Sequence, residues 1–207
     1  MTKLLTLCAL LLAIALPAQT ADVTKKLPAP DKEGGIPLMK ALSLRKSTRS
    51  FNTIALTDQQ VSNLLWAANG FNREGMRTAP SAMNCQEIEV YMARKDGLWL
   101  YDAKAHSIIQ IHGKDIRRET GLQPFVAEAP VNLIFVVDTT KLKNPQMLEK
   151  FSDADAACCV ENAYLYCASA GLGCVVRGSF RSSVLIEAMH IPSTKIPIFC
   201  MSVGLPK

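Results

Sequence analysis

A chain of 207 residues has room for one domain, or two small ones, and for a core large enough to fold unaided. With 49% hydrophobic and 20% charged residues, and 11 each of glycine and proline, it is neither disordered, fibrous nor of low complexity. The net charge of +5 is spread along the chain without a basic tail or run, which argues against nucleic acid as a partner.

The first residues read as a secretory signal peptide. Lys3 precedes an apolar run over residues 4–16, followed by Pro17, Ala18, Gln19, Thr20 and Ala21 as a cleavage region. The run is too short for a membrane span, which needs about 20 apolar residues. Residues 1–21 are therefore set apart as the signal peptide, residues 22–35 as an extended linker or arm, and residues 36–207 as one domain. Export to the periplasm follows as the expected localisation. Of the 7 cysteines, Cys8 lies in the signal. The other six sit mainly in apolar patterns, show no CxxC pair and no ligand spacing to His106, His112 or His190, and read as buried free thiols rather than a metal site.

In chain order, residues 36–44 form a first helix with Leu38, Met39 and Leu42 apolar. Thr57-Asp58-Gln59-Gln60 is a capping box, and Val61, Leu64, Leu65 and Ala68 carry the helix to about Asn69, where Gly70 stops it. Ile88, Val90 and Met92 alternate with Glu89, Tyr91 and Ala93 in a strand that turns at Lys95-Asp96-Gly97 into a second, with a third near residues 107–111. Residues 131–138 form a strand covered on both faces. The helix over residues 153–170 is apolar nearly all round, which in a small domain suggests a second copy covering one face. Gly171 ends it; a strand from Gly173, a short helix over 181–190 and a last strand over 196–203 follow. The class is α+β, with a mixed sheet flanked by helices.

Three polar clusters stand out. Arg45-Lys46-Ser47-Thr48-Arg49 offers two guanidinium forks and a hydroxyl to a phosphate, and equally suits a solvated helix end. Thr78 to Gln86 carries Pro80, Ser81, Ala82, Met83, Asn84 and Gln86, uncharged groups suited to the heteroatom edge of a planar ring. The same stretch also suits a short helix capped by Ser81. Gly171, Gly173 and Gly178 allow a flat group to approach the backbone, although no GxGxxG or P-loop is present.

In this order and spacing the clusters resemble the nitroreductase-like flavoproteins, most closely the SagB-type dehydrogenase branch. Arg45 to Phe51, Leu64 to Gly70, Arg77 to Asn84, Gly97 to Asp102, Gly171 to Gly173, Gly178-Ser179-Phe180 and Val203 to Pro206 carry the resemblance, which covers nearly all of residues 36–206. It implies a domain-sharing homodimer with FMN at the interface. Arg45, Ser47 and Arg49, with Lys46 between them, would hold the phosphate and ribityl chain, and Lys207 would complete that site. Pro80, Ser81, Ala82, Met83, Asn84 and Gln86 of the partner subunit would face the isoalloxazine. Val176, Arg177 and Gly178 would bring backbone donors to its N5 and O4. Met83 stands where the family usually has glycine and Glu87 where it often has proline. No arm follows Pro206 of the kind that wraps the partner in larger members, and no lysine–tyrosine pair of the peptide-azoline oxidases is assigned.

The implied activity is two-electron, ping-pong hydride transfer through FMN to a small organic acceptor: nitroaromatic, quinone or enone-like. No catalytic side chain is assigned. NAD(P)H is the family's donor, but export leaves another donor open. The alternatives are a non-catalytic exported flavin carrier and a cysteine-rich metal module.

Overall fold

The structure is a computed structural model that describes residues 23–207; the signal segment lies outside the described residues. Its centre is a seven-stranded sheet in the order β1-β6-β5-β4-β7-β9-β8. The strands are β1 (Thr24–Lys26), β4 (Ile88–Arg94), β5 (Gly97–Asp102), β6 (Ser107–His112), β7 (Val131–Asp138), β8 (Gly173–Arg177) and β9 (Lys195–Gly204). Two short strands, β2 (Phe71–Arg73) and β3 (Met76–Arg77), form a separate hairpin. Four helices, α1 (Leu38–Leu44), α2 (Asp58–Asn69), α3 (Gln146–Ser169) and α4 (Ser182–Met189), flank the large sheet. The α+β class thus holds. Every ladder is antiparallel, and parallel pairing is reduced to one bridge between Ser47 and Cys174.

Local chemistry sets the elements. Gln60 N–H donates to Thr57 Oγ1 at 3.2 Å while Thr57 N–H donates to Gln60 Oε1 at 2.9 Å, closing the capping box at the start of α2. All eight residues of β7 are buried, because helices cover both faces of the sheet at its centre. One core layer packs α2 and α3 on Val90, Met92, Leu133 and Phe135. The other packs α4 and Ile116 on Tyr91, Ala93, Ile134 and Cys200. Tyr91 and Ala93, which alternate with Val90 and Met92 along β4, are therefore core residues of the second layer.

Three further differences matter for the site. The arm is not a free linker: β1 pairs with β6, and Leu27 behind it is buried. α3 begins at Gln146, seven residues before the expected start at 153, because its first turns mix Met147, Leu148 and Phe151 with polar residues. Within one chain α3 buries a single face, through Ala156, Cys159, Ala163 and Cys167, while Ala154 and Ala157 are exposed. α1 buries only Ala41, leaving Leu38 at 61% and Met39 at 75% exposure. Its apolar residues do not face the core of this chain.

Candidate functional site

The Arg45–Arg49 segment leaves α1 and runs along the outer edge of β8. Thr48 N–H donates to the Cys174 carbonyl at 2.8 Å. The approach needs glycine at 173: a Cβ there would lie 2.7 Å from Thr48 Cγ2, too close for any side chain. The segment presents Arg45, Lys46, Ser47 and Arg49 to solvent. Arg45 lies over the Tyr164 ring with its guanidinium carbon 5.3 Å from the centroid.

Tyr164 organises this side of the site, and sequence reading missed it. Projecting from α3 and buried, its hydroxyl accepts from Val176 N–H at 2.9 Å and meets Ser47 Oγ at 3.2 Å. One hydroxyl thus joins the Arg45–Arg49 segment to β8. The visible signal was a single tyrosine on an otherwise small-residue stripe. A cleft of about 250 Å³ lies here, lined by Lys46, Thr48, Tyr164, Gly173 and Pro206.

The structure narrows the expected donors of the 176–178 segment. Val176 N–H is engaged by Tyr164. The Arg177 side chain is turned into the core, so only its backbone remains for a ligand. Gly178 has no atom within 4 Å of where a Cβ would stand, and is the open position. Lys207 does not reach toward Arg45: its N–H bonds the Ser50 carbonyl and its Nζ pairs with Glu128 Oε2 at 3.1 Å, both side chains about half exposed.

The Pro80–Gln86 stretch is a short 3-10 turn (Ala82–Asn84) entered from an extended Ser81 and followed by a helical Cys85. Ser81 does not cap it; its Oγ accepts from Gln86 N–H at 2.9 Å instead. Met83, Asn84 and Gln86 all have φ near +53°, left-handed backbone that only glycine adopts freely. Met83, set by the resemblance where glycine is usual, occupies such a position. Two anchors that sequence reading missed hold the turn. Asp155 on α3 accepts from Ala82 N–H at 2.8 Å, and Arg77 donates to Gln86 Oε1 at 3.1 Å and to the Asn69 carbonyl at 2.9 Å. Beside Asp155, Glu87 is 1% exposed and no donor reaches either of its oxygens. Burial foremost, with the Asp155 carboxyl next to it, pushes Glu87 up to about 7.

These two halves do not meet within one chain. Asp155 and Tyr164 are nine positions apart on α3, about 13 Å along its axis at 1.5 Å per residue. A second cleft, of about 350 Å³, lies at the turn between Met76, Pro80, Ser81 and Asn84. A larger cavity, about 680 Å³ between Thr53, Arg94, Arg117 and Pro130, touches neither half. Two of its basic groups are paired, Arg94 with Asp96 and Arg117 with Asp115. Among the described residues, all six cysteines are free thiols, Cys85 and Cys158 partly exposed and the rest buried.

The nitroreductase family profile matches residues 42–205. The chain is similar to a protein of Methanocaldococcus jannaschii described as a nitroreductase, 30% identical over 195 residues that span 87% of this chain and 96% of that one. A solved structure from Ralstonia eutropha, also described as a nitroreductase, matches with a TM-score of 0.85 at 44% identity, over 89% of this chain and 90% of that one. Another from Desulfovibrio desulfuricans, solved in complex with FMN, shares the fold with a TM-score of 0.63 at 21% identity, over 83% of this chain and 87% of that one.

Proposed function

The chain belongs to the nitroreductase family, and on that footing we propose that it is an exported, homodimeric oxidoreductase that uses FMN to pass two electrons to a small organic acceptor. FMN dependence is the family-level reading; export, the dimer, the ping-pong order and the nitroaromatic, quinone or enone-like acceptor are the finer parts of the proposal. The observation that carries it is the split site. The residues that hold the 45–49 segment and the 80–86 turn, Tyr164 and Asp155, stand about 13 Å apart along α3, beside an α1 whose leucines and methionine are uncovered. A second copy supplies each half with its complement.

The residues present suit FMN. Arg45, Ser47 and Arg49 are exposed donors on one edge, able to form charge-assisted bonds to a phosphate. Glycine at 178 leaves room beside the backbone for a flat ring. Bound FMN supplies two-electron redox chemistry by accepting and then donating a hydride. The chain's own part is to bind and orient. Tyr164 fixes Ser47 against β8, Asp155 and Arg77 hold the ring-facing turn, and the apolar faces of α1 and α3 exclude water once paired. No side chain is placed as general acid or base.

The test is direct. Protein purified with FMN should be yellow and sediment as a dimer. NADH, NADPH or dithionite should bleach it, and a nitroaromatic or quinone should restore the colour. A flavin-loaded monomer would refute the shared site. Colour that never returns with any acceptor would favour the carrier.

A further inference from the structure

Arg177 is a buried cation with no anion. It is 6% exposed, and among the described residues no carboxylate pairs with it. Its guanidinium donates to the Thr120 carbonyl at 2.6 Å, and to Asn132 Oδ1 and Ser202 Oγ at 3.0 Å each. Asn132 is itself fixed, donating to the Val126 carbonyl at 2.7 Å, so its oxygen is committed toward the arginine. Gly121 completes the enclosure, since a Cβ there would collide with the guanidinium. Nε has no partner at all. The neighbouring Cys200 thiol is pushed up to about 12 by burial and stays neutral.

The cage consists of dipoles that stabilise a positive charge without neutralising it. Arginine does not escape by losing its proton. A fold that held this residue for packing alone would be better served by an apolar side chain, because an unpaired buried charge costs several kcal/mol. The position is informative: Arg177 follows Val176 and precedes Gly178, the open residue of the segment set against the flavin ring in the reading above.

We propose that Arg177 is the fixed counter-charge for reduced FMN. It is a positioning residue that acts through space, making the protein bind the reduced cofactor more tightly than the oxidised one and so raising its reduction potential. The balance is simple. Oxidised FMN gains two electrons and one proton from a hydride donor, and the bound cofactor becomes more negative by one charge. Through a low-dielectric interior that charge interacts with a fixed cation without contact. The inference rests on the FMN reading of the site.

The test compares wild type with Arg177→Gln, which keeps hydrogen-bonding capacity but no charge, and Arg177→Lys, which keeps the charge. Dissociation constants for oxidised and dithionite-reduced FMN are measured anaerobically by fluorescence and absorbance. Wild type should prefer reduced FMN. Arg177→Gln should lose about tenfold of that preference, about 30 mV for a two-electron couple, and Arg177→Lys should stay within about threefold of wild type. An unchanged preference in Arg177→Gln, or equal losses in both variants, would overturn the proposal. If neither variant folds, wild type decides: reduced FMN bound no more tightly than oxidised overturns it, and tighter binding supports it. Failure of wild type to bind FMN in either form would instead overturn the FMN reading itself.

Discussion

Replacing Glu87 by glutamine should change how stability depends on pH. In the folded chain Glu87 sits beside Asp155 with no donor reaching either oxygen, so the arrangement is satisfied when a proton lies between the two carboxyls. Its pKa rises from the ordinary value of 4.5 to about 7. An acid whose folded value is raised stabilises the fold fully below its unfolded value and loses that contribution as pH climbs through the folded one. Stability should therefore fall between about pH 4.5 and 7, by about 3 kcal/mol at roughly 1.4 kcal/mol for each pH unit. For a domain of this size that is on the order of 6–10 °C in Tm. Glu87→Gln donates an amide hydrogen to Asp155 and does not titrate. Melting both proteins from pH 4.5 to 8 should show the variant gaining on wild type by that amount across the window. Parallel profiles would refute the shared proton.

Other outcomes follow from the site. Tyr164→Phe leaves Val176 N–H without its partner and frees Ser47, so FMN affinity should fall about tenfold, whereas Tyr166→Phe at the half-buried neighbour should leave it near wild type; fluorescence titration measures both. Met83→Gly relieves a left-handed residue and should raise stability by about 1 kcal/mol, read by urea unfolding. Reductant should leave Tm almost unchanged, since the six cysteines among the described residues are all free thiols, and alkylation mapped by mass spectrometry should label Cys85 before Cys159, whose thiol burial pushes far up.

Much of the fold was legible because it is written at short range. The capping box and the i, i+3, i+4 stripe placed α2 and its end near Asn69, and the Lys95-Asp96-Gly97 turn placed the β4–β5 hairpin. The unbroken apolar run gave β7 its central place. What escaped depends on distant partners. Tyr91 and Ala93 become core only where Ile116 and α4 cover them. The β2–β3 hairpin is too short and polar to announce itself, yet it carries Arg77 to the turn it anchors. Motif positions 45–49, 80–86 and 176–178 could be picked out, but Tyr164 and Asp155 gain their roles only when α3 brings them against those segments, and Glu87 only when Asp155 comes to lie beside it. The inward turn of Arg177 was hidden for the same reason: its acceptors come from three separate stretches of chain.

The pairing of residues 45–49 with β8 also bears on solubility. A sheet's outermost strands expose unpaired N–H and C=O groups that recruit other chains. One margin of this sheet is β1, three residues long with two lysines, a poor template. The other is β8, whose Cys174 carbonyl is met by Thr48 and whose Val176 N–H is met by Tyr164. The segment that shields this margin is the one that would grip a phosphate. Loosening it would uncover a β-edge, and on the FMN reading a phosphate gripped by Arg45 and Arg49 would help hold this margin closed, so added FMN should lower aggregation.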